Sequence, residues 1–577
     1  MSEKLTIKNE RVDDIPLLLA QLAKMEVASL LDQQFPTHGH WQGLSLGQVT
    51  SVWLSFILSE ANHRLSHVQP WAEQRLEMLA ACLGEPLRAL DWSDDRLARV
   101  LDQLSEDQAW AEFEQALNKR TVRVYDLATS QVRIDSTTAK GYLEVTPEGL
   151  FQLGHSKDRR PDLPQVKINL SVLDPLGLPV TTTVVAGNRA DDPLYLPEIQ
   201  RVQQSLGRSG VTYIGDCKMA AKQTRAFIAA SGDYYLCPLT KVQVSQEDWE
   251  QLLAAVQQAL IPVYRSSDPS AEPEKIAEGY ETSLALRATV EGRTLEWMER
   301  RLVVRSLKLA KGQKEALRRR VEQALAAIVG LNERRQGKKR WSEEAKLAAT
   351  VQQLVAQQRV KGLIQWQISI QVSERTVRGY RDRPGRVIQE CVAQVSAQVD
   401  EAALAQAIER LGWRVYASNQ PAEQLSLEQA VLAYRAEYLV ERGFGRLKGK
   451  PLSLTPIYLD SDQRVTGLIR LLMIGLRVLT LLEFQARRQL QQEDGKLAGI
   501  YPGNPKRATA RPSTEMMLRA FEGLTLTVVE QAGRIQRLMT PLSSVHRRIL
   551  SLLGLPPDVY SRVCQHFLKP LPNLSEP

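Results

Sequence analysis

Apolar residues recur at helical spacing in the first part of the chain. Between residues 13 and 118, three segments have apolar side chains at every third and fourth position: IPLLLAQLAKMEVASLL, LGQVTSVWLSFILSEANHRL and DDRLARVLDQLSEDQAWAEFEQAL. Breaks that contain Pro and Gly, FPTHGHWQG and CLGEP, separate them. We therefore predict a helical N-terminal domain over residues 1–120, in which Ser45 is a helix N-cap rather than the nucleophile of a GxSxG motif.

The pattern changes near residue 121 to short segments rich in β-branched residues. These are VRVYDLATSQVRIDSTT, QVKINLSVLD and LPVTTTVVAG, and turn sequences such as DPLG separate them. A helix is expected near 194–206, a strand at 211–216, a helix at 218–230 and a strand at 234–239. Three strands followed by alternating helices and strands predict an α/β core, a mixed sheet with helices packed on it, whose first part spans 121–240.

Residues 241–411 interrupt this α/β pattern, and we interpret them as an α+β insertion. Strand-like pieces, SLALRATV, RRLVVRS and LIQWQISIQ, surround a long helical tract at about 308–360. Strand character returns at 413–419 and a helix follows at 427–447. We place the second part of the core at 412–490 and a helical C-terminal region at 491–577, with a break rich in Pro, Gly and Arg at 499–513.

The most apolar stretch, residues 468–483, is shorter than the roughly 20 apolar residues that a membrane span needs. Arg470 and Arg477 interrupt it, so we expect a buried helix with two polar contacts. The first residues are too polar for a signal peptide. The five cysteines are scattered without a CxxC pair, which excludes a disulfide scaffold or a zinc ribbon. We therefore expect a cytoplasmic protein without membrane contact.

The net charge of +8 is concentrated in one segment of the 577 residues. Residues 300–340 contain fourteen basic and three acidic residues, a net charge of +11, so the rest of the chain is slightly negative at −3. Such a block suits a contact with the DNA phosphate backbone. A solvated helix face explains it equally well, and charge alone does not decide between them.

Three acidic residues lie at positions where a fold could use them together. Asp135 lies in the strand VRIDSTT, Asp216 ends the strand VTYIGD, and Glu441 lies on the amphipathic helix at 427–447. If the first and fourth strands are neighbours, Asp135 and Asp216 converge, and a helix packed on the sheet brings Glu441 toward them. Any one of these acids alone is better explained as a helix cap or a surface group.

Converging carboxylates repel each other unless cations lie between them or their pKa values rise. Oxygen ligands without a nearby His or Cys pair select Mg²⁺ or Mn²⁺. Two such ions about 3.5–4 Å apart can activate a water or a 3′-hydroxyl for displacement at a phosphodiester. The chain has no GxxxxGK[ST] sequence, so we expect no nucleotide cofactor.

Four blocks in order, RIDSTTAKGYLE, GHSKDRRPDLPQVKINLSVLD, VAGNRADDP and YIGDCKMA, resemble the DDE transposases of bacterial insertion sequences. The resemblance is to the group with the signature Y-x2-R-x3-E-x6-K, on which Tyr434, Glu441 and Lys448 fall. Glu437 stands where the group has Arg, and Arg435 and Arg442 are the neighbouring candidates for the phosphate contact of that Arg.

The resemblance implies a ribonuclease-H-like mixed-sheet core, interrupted by the insertion and flanked by helical N- and C-terminal regions. It implies that Asp135, Asp216 and Glu441 are the catalytic residues and bind two Mg²⁺ or Mn²⁺ ions. Tyr434 and Lys448 would hold DNA phosphates, and the N-terminal helices and the basic insertion would recognise transposon ends. Lys157, Arg159 and Arg160 form a basic loop between the first two strands that suits backbone contact or, alternatively, is a solvated turn.

The sequence thus predicts a DNA transposase, associated with the bacterial nucleoid. A homodimer would bind the inverted-repeat ends of its element in double-stranded DNA, cleave one strand and transfer the 3′ end to target DNA. Two alternatives stay open: a ribonuclease-H-like structure-specific nuclease, and a catalytically silent DNA-binding protein derived from a transposase. End-specific binding would exclude the first, and metal-dependent nicking would exclude the second.

Overall fold

The computed structural model describes residues 5–37, 39, 41–254, 260–266, 272–333, 341–378, 384, 386–531 and 534–564. The N-terminal region begins with one strand and continues as seven helices. These elements are β1 (Thr6–Arg11), α1 (Ile15–Lys24), α2 (Val27–Gln34), α3 (Leu46–Glu60), α4 (Val68–Glu73), α5 (Leu76–Leu83), α6 (Asp94–Leu104) and α7 (Asp107–Tyr125).

Ser45 begins α3 as the sequence predicted. Its hydroxyl accepts a hydrogen bond from the Gln48 backbone amide, and the Gln48 side chain accepts one from the Ser45 amide. This reciprocal pair satisfies two amides that a helix start leaves without intrahelical partners. The interpretation of Ser45 as an N-cap is confirmed.

The first part of the α/β core has five strands and two helices. They are β2 (Gln131–Lys140), β3 (Gln165–Leu173), β4 (Leu178–Ala186), α8 (Tyr195–Leu206), β5 (Thr212–Ile214), α9 (Lys222–Ala230) and β6 (Tyr234–Pro238). All nine residues of β3 are buried, which is typical of a strand covered on both faces.

These strands form a mixed sheet in the order β4-β3-β2-β5-β6. β2 pairs antiparallel with β3, and β3 pairs antiparallel with β4. β5 pairs parallel with β2, and β6 pairs parallel with β5. The mixed sheet that the sequence predicted is confirmed, and the first and fourth of its strands along the chain are direct neighbours.

The region after β6 also mixes helices and strands. It contains α10 (Gln246–Ala254), β7 (Ile261–Arg265), β8 (Glu274–Val290), β9 (Arg293–Ser306), α11 (Leu307–Val329), α12 (Glu344–Gln357), β10 (Ile364–Val377), β11 (Arg386–Val399), α13 (Glu401–Glu409) and β12 (Trp413–Ser418). Strands β12, β9, β8 and β7 are neighbours in that order, and β10 and β11 form a separate hairpin. The helical tract expected at 308–360 consists of two helices, whose apolar faces pack against β10 and β11.

Among the described residues, the basic block at 300–340 contains both buried and exposed cations. Arg300 is buried and pairs with Glu281 while donating to the carbonyl oxygens of Gln420 and Leu425. In contrast, α11 exposes four cations to solvent: Lys308, Lys311, Arg318 and Arg319. Five further basic residues of the block, Arg334, Arg335, Lys338, Lys339 and Arg340, lie outside the described residues. The block is therefore part structural support and part exposed helix face.

The remainder of the chain comprises α14 (Leu427–Arg435), α15 (Tyr438–Lys448), α16 (Asp462–Gln492), β13 (Leu497–Ala498), β14 (Ala508–Thr509), α17 (Thr514–Arg519), β15 (Thr525–Gln531), β16 (Arg534–Met539) and α18 (Ser544–Leu552). β15 pairs with both β1 and β16 in a three-stranded antiparallel sheet. The expectation of purely helical flanks is therefore wrong. The polar strand TIKNER buries only Glu10, so its sequence gives no apolar alternation.

The long helix α16 is buried as expected. It is long and apolar enough to cross a membrane, but 94% of its most apolar stretch is buried inside the protein. Arg470 donates to the carbonyl oxygens of Leu104 and Ser105, and Arg477 donates to those of Pro179 and Val180. The prediction of a core helix with two polar contacts is confirmed.

The chain forms two compact units. Unit 1 consists of Met1–Cys237, Leu286–Trp297 and Ala433–Pro577. Unit 2 consists of Pro238–Ala285 and Met298–Leu432. Asp135, Asp216 and Glu441 all belong to unit 1.

Candidate active site

The register of β2 and β5 determines where Asp135 and Asp216 lie. Gln131 pairs with Thr212 and Arg133 with Ile214, a constant offset of 81 residues. The same offset joins Asp135 to Asp216, which follows β5 by two residues. Neighbouring strands lie about 4.8 Å apart, and residues at matching positions point to the same face. Continued past the end of β5, this register would place the two carboxylates side by side, and they are close enough that the charge of Asp216 raises the pKa of Asp135.

Asp216 is held by two hydrogen bonds to the same carboxylate oxygen. The Tyr195 hydroxyl donates to Oδ1 over 2.7 Å, and the Lys218 backbone amide donates to it over 2.8 Å. Tyr195 is the first residue of α8 and is only 5% exposed. Burial and the negative charge of Asp216 raise the pKa of Tyr195 well above its ordinary value. The phenol therefore stays protonated and acts as a fixed donor.

Asp135 is accompanied by a cation. The ammonium group of Lys157 lies 3.2 Å from Asp135 Oδ1, which also accepts the Ser136 amide over 2.7 Å. Burial raises the pKa of Asp135, and the nearby charge of Asp216 adds to this, while Lys157 opposes it. Desolvation combined with a like charge disfavours a bare carboxylate, so the position favours a neighbouring cation.

Arg133 on β2 anchors α14, the helix that directly precedes the one carrying Glu441. The buried Arg133 guanidinium pairs with Asp174 over 2.8 Å and donates to the carbonyl oxygens of Ala433 and Tyr434. The helix expected at 427–447 is interrupted at 436–437, between α14 and α15. The bond to the last turn of α14 fixes this junction over the strand that carries Asp135.

Glu441 itself is exposed, whereas Glu437 is half-buried one turn before it. Burial raises the pKa of Glu437, and the charges of Asp135, Glu441 and Asp216 raise it further. Glu437 therefore shares the electrostatic environment of the three predicted acids. Within the described residues, no three Asp, Glu, His or Cys side chains lie close enough together to hold a metal ion. The structure thus brings Asp135 and Asp216 within electrostatic range of each other, and among the described residues Asp135, Asp216 and Glu441 do not together form a group that could hold a metal ion.

The basic loop after β2 lies against the same site. Lys157 contacts Asp135, and the next residue, Asp158, accepts from the Lys448 ammonium over 2.6 Å. Arg160 forms a bidentate pair with Asp162 over 2.7 and 2.8 Å, and Arg159 is an exposed residue with a φ of 58°. The loop therefore connects the strand of Asp135 with the C-terminal end of α15, and three of the predicted DNA-binding cations are paired with acids.

Sequence reasoning missed Tyr195 and a polar layer beside Asp135. In that layer Asp191 accepts from the buried Lys167 over 2.7 Å and from the Ser136 hydroxyl over 3.0 Å. Asp191 lies in the VAGNRADDP block and Tyr195 follows shortly after it. The only sequence signal for these residues was the cluster of polar residues before a helix, and such a cluster is equally typical of an ordinary loop.

Comparisons with known proteins agree with this organisation. The family model described as "Transposase DDE domain" matches residues 129–476, and a "Domain of unknown function (DUF4277)" matches residues 7–116. A search of curated proteins finds no match. A solved cryo-EM structure, the piggyBac transposase synaptic complex with hairpin DNA, aligns with 8% identity and a TM-score of 0.33. The alignment covers 89% of this chain and 81% of that one.

The transposase match covers more than half of the chain. It begins just before β2 and ends within α16, so it contains Asp135, Asp216 and Glu441. By the extent of this match, the chain belongs to the transposase DDE domain family.

Proposed function

We propose that this protein is a DNA transposase that binds the inverted-repeat ends of an insertion sequence and catalyses strand cleavage and strand transfer. The observation that carries the proposal is the family match over residues 129–476. The parallel register that places Asp135 beside Asp216 supports it independently. We assign the catalytic roles to Asp135, Asp216 and Glu441.

The donor set supports binding of divalent metal ions. Members of DDE transposase families generally use such ions, and the three assigned residues offer only carboxylate oxygens, which suit Mg²⁺ or Mn²⁺. The Lys157 ammonium group beside Asp135 occupies a position where a metal ion would bind in the proposed active site. Two ions, when bound, would activate a water or a 3′-hydroxyl and stabilise the leaving oxygen.

The protein's own residues position this chemistry. Strands β2 and β5 fix Asp135 and Asp216, and the Tyr195 hydroxyl orients the Asp216 carboxylate. Glu441 approaches from α15, whose junction Arg133 anchors to β2. Lys157, which lies 3.2 Å from Asp135, would release this carboxylate if a divalent ion bound there, and its ammonium group would then contact a DNA phosphate.

We propose a ribonuclease-H-like core for unit 1. Its support is the strand arrangement itself: a meander of three antiparallel strands, followed by two parallel strands with helices between them. The acids lie on the central strand β2 and its parallel neighbour. In this proposal residues 121–240 and 412–490 build the core, 241–411 is the insertion, 1–120 recognises DNA ends and 491–577 completes the fold.

The proposed DNA contacts are made by Tyr434, Lys448, Lys157, Arg159 and Arg160. They lie on the loop after β2 and on α14 and α15, around the assigned acids. Because Lys448 and Arg160 are paired with acids here, phosphates would have to compete with Asp158 and Asp162 for them. The proposed assembly is a homodimer on double-stranded DNA, in the bacterial cytoplasm with the nucleoid.

The experiment measures nicking of a duplex that carries the ends of the element, with Mg²⁺ and with EDTA. Asp135→Asn, Asp216→Asn and Glu441→Gln should each abolish nicking while binding of the duplex persists. Glu144→Gln, which changes an exposed acid in the loop after β2, is the matched control and should nick normally. Nicking by Asp135→Asn at the wild-type rate would refute the assignment.

A silent DNA-binding protein is the second candidate. It is favoured by one observation: no three-acid metal cluster exists among the residues that the structure describes. It predicts protection of the element ends in a footprint without nicking at any Mg²⁺ or Mn²⁺ concentration. Nicking that depends on Asp135 eliminates it.

A further inference from the structure

A deep cleft in unit 1 lies beside the helix that carries Glu441. It has a volume of about 900 Å³, and its walls come from α15, α16 and the turn between β3 and β4. Five arginines line it: Arg442, Arg446, Arg487, Arg488 and Arg511. Three acids also line it, Asp126, Asp174 and Glu483, so that the lining has an excess of two positive charges.

Three of these arginines converge on the one buried carboxylate of Glu483. Arg442 forms a bidentate pair with it, Arg446 lies 2.6 Å from Oε2, and Arg487 lies 2.8 Å from Oε1. These partners lower the pKa of Glu483 although burial alone would raise it. Arg446 also pairs with Glu515 over 2.8 Å, so the three guanidinium groups share two carboxylates and keep one positive charge in excess. The side chains of Arg442 and Arg487 stay 37% and 30% exposed, so they can accept a further anion.

The cleft and the proposed catalytic acid occupy different faces of α15. Tyr438, Arg442 and Arg446 are spaced by four residues and line the cleft. At 100° per residue, Glu441 and Lys448 lie about 100° and 120° around the helix from Arg442, on a neighbouring face. A helix with its side chains is about 10–12 Å wide, which corresponds to roughly three nucleotide steps along one DNA strand.

A basic ribbon contributes one residue, Arg511, to the lining of the cleft. We use this name for residues 497–511, in which β13 and β14 pair Leu497 with Thr509. Residues 499–513 contain three cations, Lys506, Arg507 and Arg511, and no acid. Lys506 and Arg507 are exposed, and Arg511 reaches the cleft. This is the segment that the sequence marked as a Pro, Gly and Arg-rich break, and the proposed catalytic chemistry does not use it.

We propose that the arginine cleft and the basic ribbon form a binding site for the phosphodiester backbone of DNA, about three nucleotides from the cleaved bond. Guanidinium groups match phosphate oxygens in bidentate geometry, and a concave surface with excess positive charge concentrates a polyanion. Glu483 holds the arginines in place while leaving charge for the phosphate. The inference rests on the proposed function, because DNA is the polyanion that a transposase binds.

The test removes the ribbon cations, which are exposed and do not support the core. A triple variant, Lys506→Ala, Arg507→Ala and Arg511→Ala, is compared with the wild-type protein for binding to end DNA over a series of salt concentrations. Each lost phosphate contact should reduce the slope of log K against log salt by about 0.9. We expect a reduction of about two to three for the triple variant, similar for any DNA sequence. Arg442→Gln should give a smaller loss of the same kind.

The control is Arg534→Ala, which removes an exposed cation on β16 and should leave the slope unchanged. Ethylation interference at phosphates about three nucleotides from the nick should disappear in the triple variant. An unchanged slope, or a loss of inorganic polyphosphate binding with normal DNA binding, would overturn the inference.

Nicking by the wild-type protein and by Asp135→Asn is measured in the same samples. If both proteins nick equally, the assignment of the active site is wrong, and the salt slopes still test whether the cleft binds DNA. If Asp135→Asn abolishes nicking and the salt slopes are unchanged, only the proposed DNA-binding role of the cleft is wrong.

Discussion

The Tyr195 hydroxyl donates a 2.7 Å hydrogen bond to Asp216, which follows the strand next to that of Asp135 by two residues. Tyr195 is buried and begins α8, so its position depends on packing rather than on bound DNA. Asp216 thus has a fixed orientation before any ligand arrives. Preorganised carboxylates lower the cost of assembling a reacting geometry.

Tyr195→Phe removes this hydrogen bond and keeps the ring. A hydrogen bond to a charged group contributes about 1.5–3 kcal/mol, so we expect nicking to slow by about tenfold to a hundredfold. DNA affinity should not change, because Tyr195 is buried. Single-turnover nicking over a Mg²⁺ titration measures the effect, and Tyr264→Phe on exposed β7 is the control. A wild-type rate at every Mg²⁺ concentration would contradict the positioning role.

Lys157→Gln removes the cation that lies 3.2 Å from Asp135. Because the ammonium group competes with a metal ion for this carboxylate, we expect half-maximal nicking at a lower Mg²⁺ concentration. The affinity for DNA should fall at the same time, since the variant lacks the cation that we propose contacts a phosphate. Arg160→Gln, whose partner is Asp162 rather than Asp135, should leave the Mg²⁺ requirement unchanged. An increased Mg²⁺ requirement for Lys157→Gln would show that Lys157 assists metal binding instead.

Glu114 and Arg477 form a fully buried ion pair, each with a side-chain exposure of 1%. Burial raises the pKa of Glu114 and lowers that of Arg477, so desolvation outweighs the pairing on both sides. Arg477→Met leaves Arg201 as the remaining ion-pair partner of Glu114 among the described residues, and should lower the free energy of unfolding by about 3–5 kcal/mol.

Urea unfolding followed by tryptophan fluorescence measures this change. The double variant Glu114→Leu with Arg477→Met should be less destabilised than the sum of the two single variants, because it leaves no unpaired charge between these two positions. Arg99→Met on the exposed face of α6 should stay within about 0.5 kcal/mol of wild type. Additive single effects would show that the pair does not interact.

Asp14 is predicted to make stability depend on pH. Burial raises the pKa of Asp14 to about 7, and the charges of Asp13 and Glu60 add to the rise. The hydrogen bond from Ser59 lowers this pKa but does not outweigh burial. The folded state therefore binds a proton more tightly than the unfolded state, whose pKa is 3.8. The free energy of unfolding should fall as pH rises from about 4 to about 7, by at most about 4 kcal/mol.

Asp14→Asn keeps an acceptor for Ser59 and removes this titration. The variant should be more stable than wild type at pH 8 and about equally stable at pH 4.5. Thermal unfolding at both pH values provides the measurement, and Asp95→Asn on the surface of α6 is the control. A wild-type protein whose stability relative to Asp14→Asn does not change with pH would contradict the raised pKa.

The sequence predicted the core of unit 1 because its β-branched strands are distinct and separated by turns. It also located Asp135 and Asp216 on strands that prove to be neighbours. It missed β1 and β15 as partners, since pairing between residues 6–11 and 525–530 depends on contacts more than 500 residues apart. Nor could local patterns place Tyr195 against Asp216, because that contact depends on how α8 packs on the sheet.

The position of Glu441 relative to the two aspartates shows a similar limit. Helical periodicity predicted the helix at 427–447 but not its break at 436–437. Just before this break, Arg133 on β2 donates to the carbonyl oxygen of Tyr434. Such a break reflects tertiary hydrogen bonding, which propensity does not encode. The spacing of signature residues identified Glu441 as a candidate without giving its distance from the sheet.

Helix α16 ties the N-terminal helices to the sheet. At Gly467 a Cβ atom would lie 2.1 Å from the carbonyl oxygen of Leu101, so α6 and α16 touch through their backbones. Arg470 closes the end of α6, and Arg477 reaches β4. Removing the first 120 residues would expose the buried leucines of α16 to solvent. The N-terminal helices and the sheet are thus expected to melt in a single transition, and neither part should be obtainable as a soluble fragment.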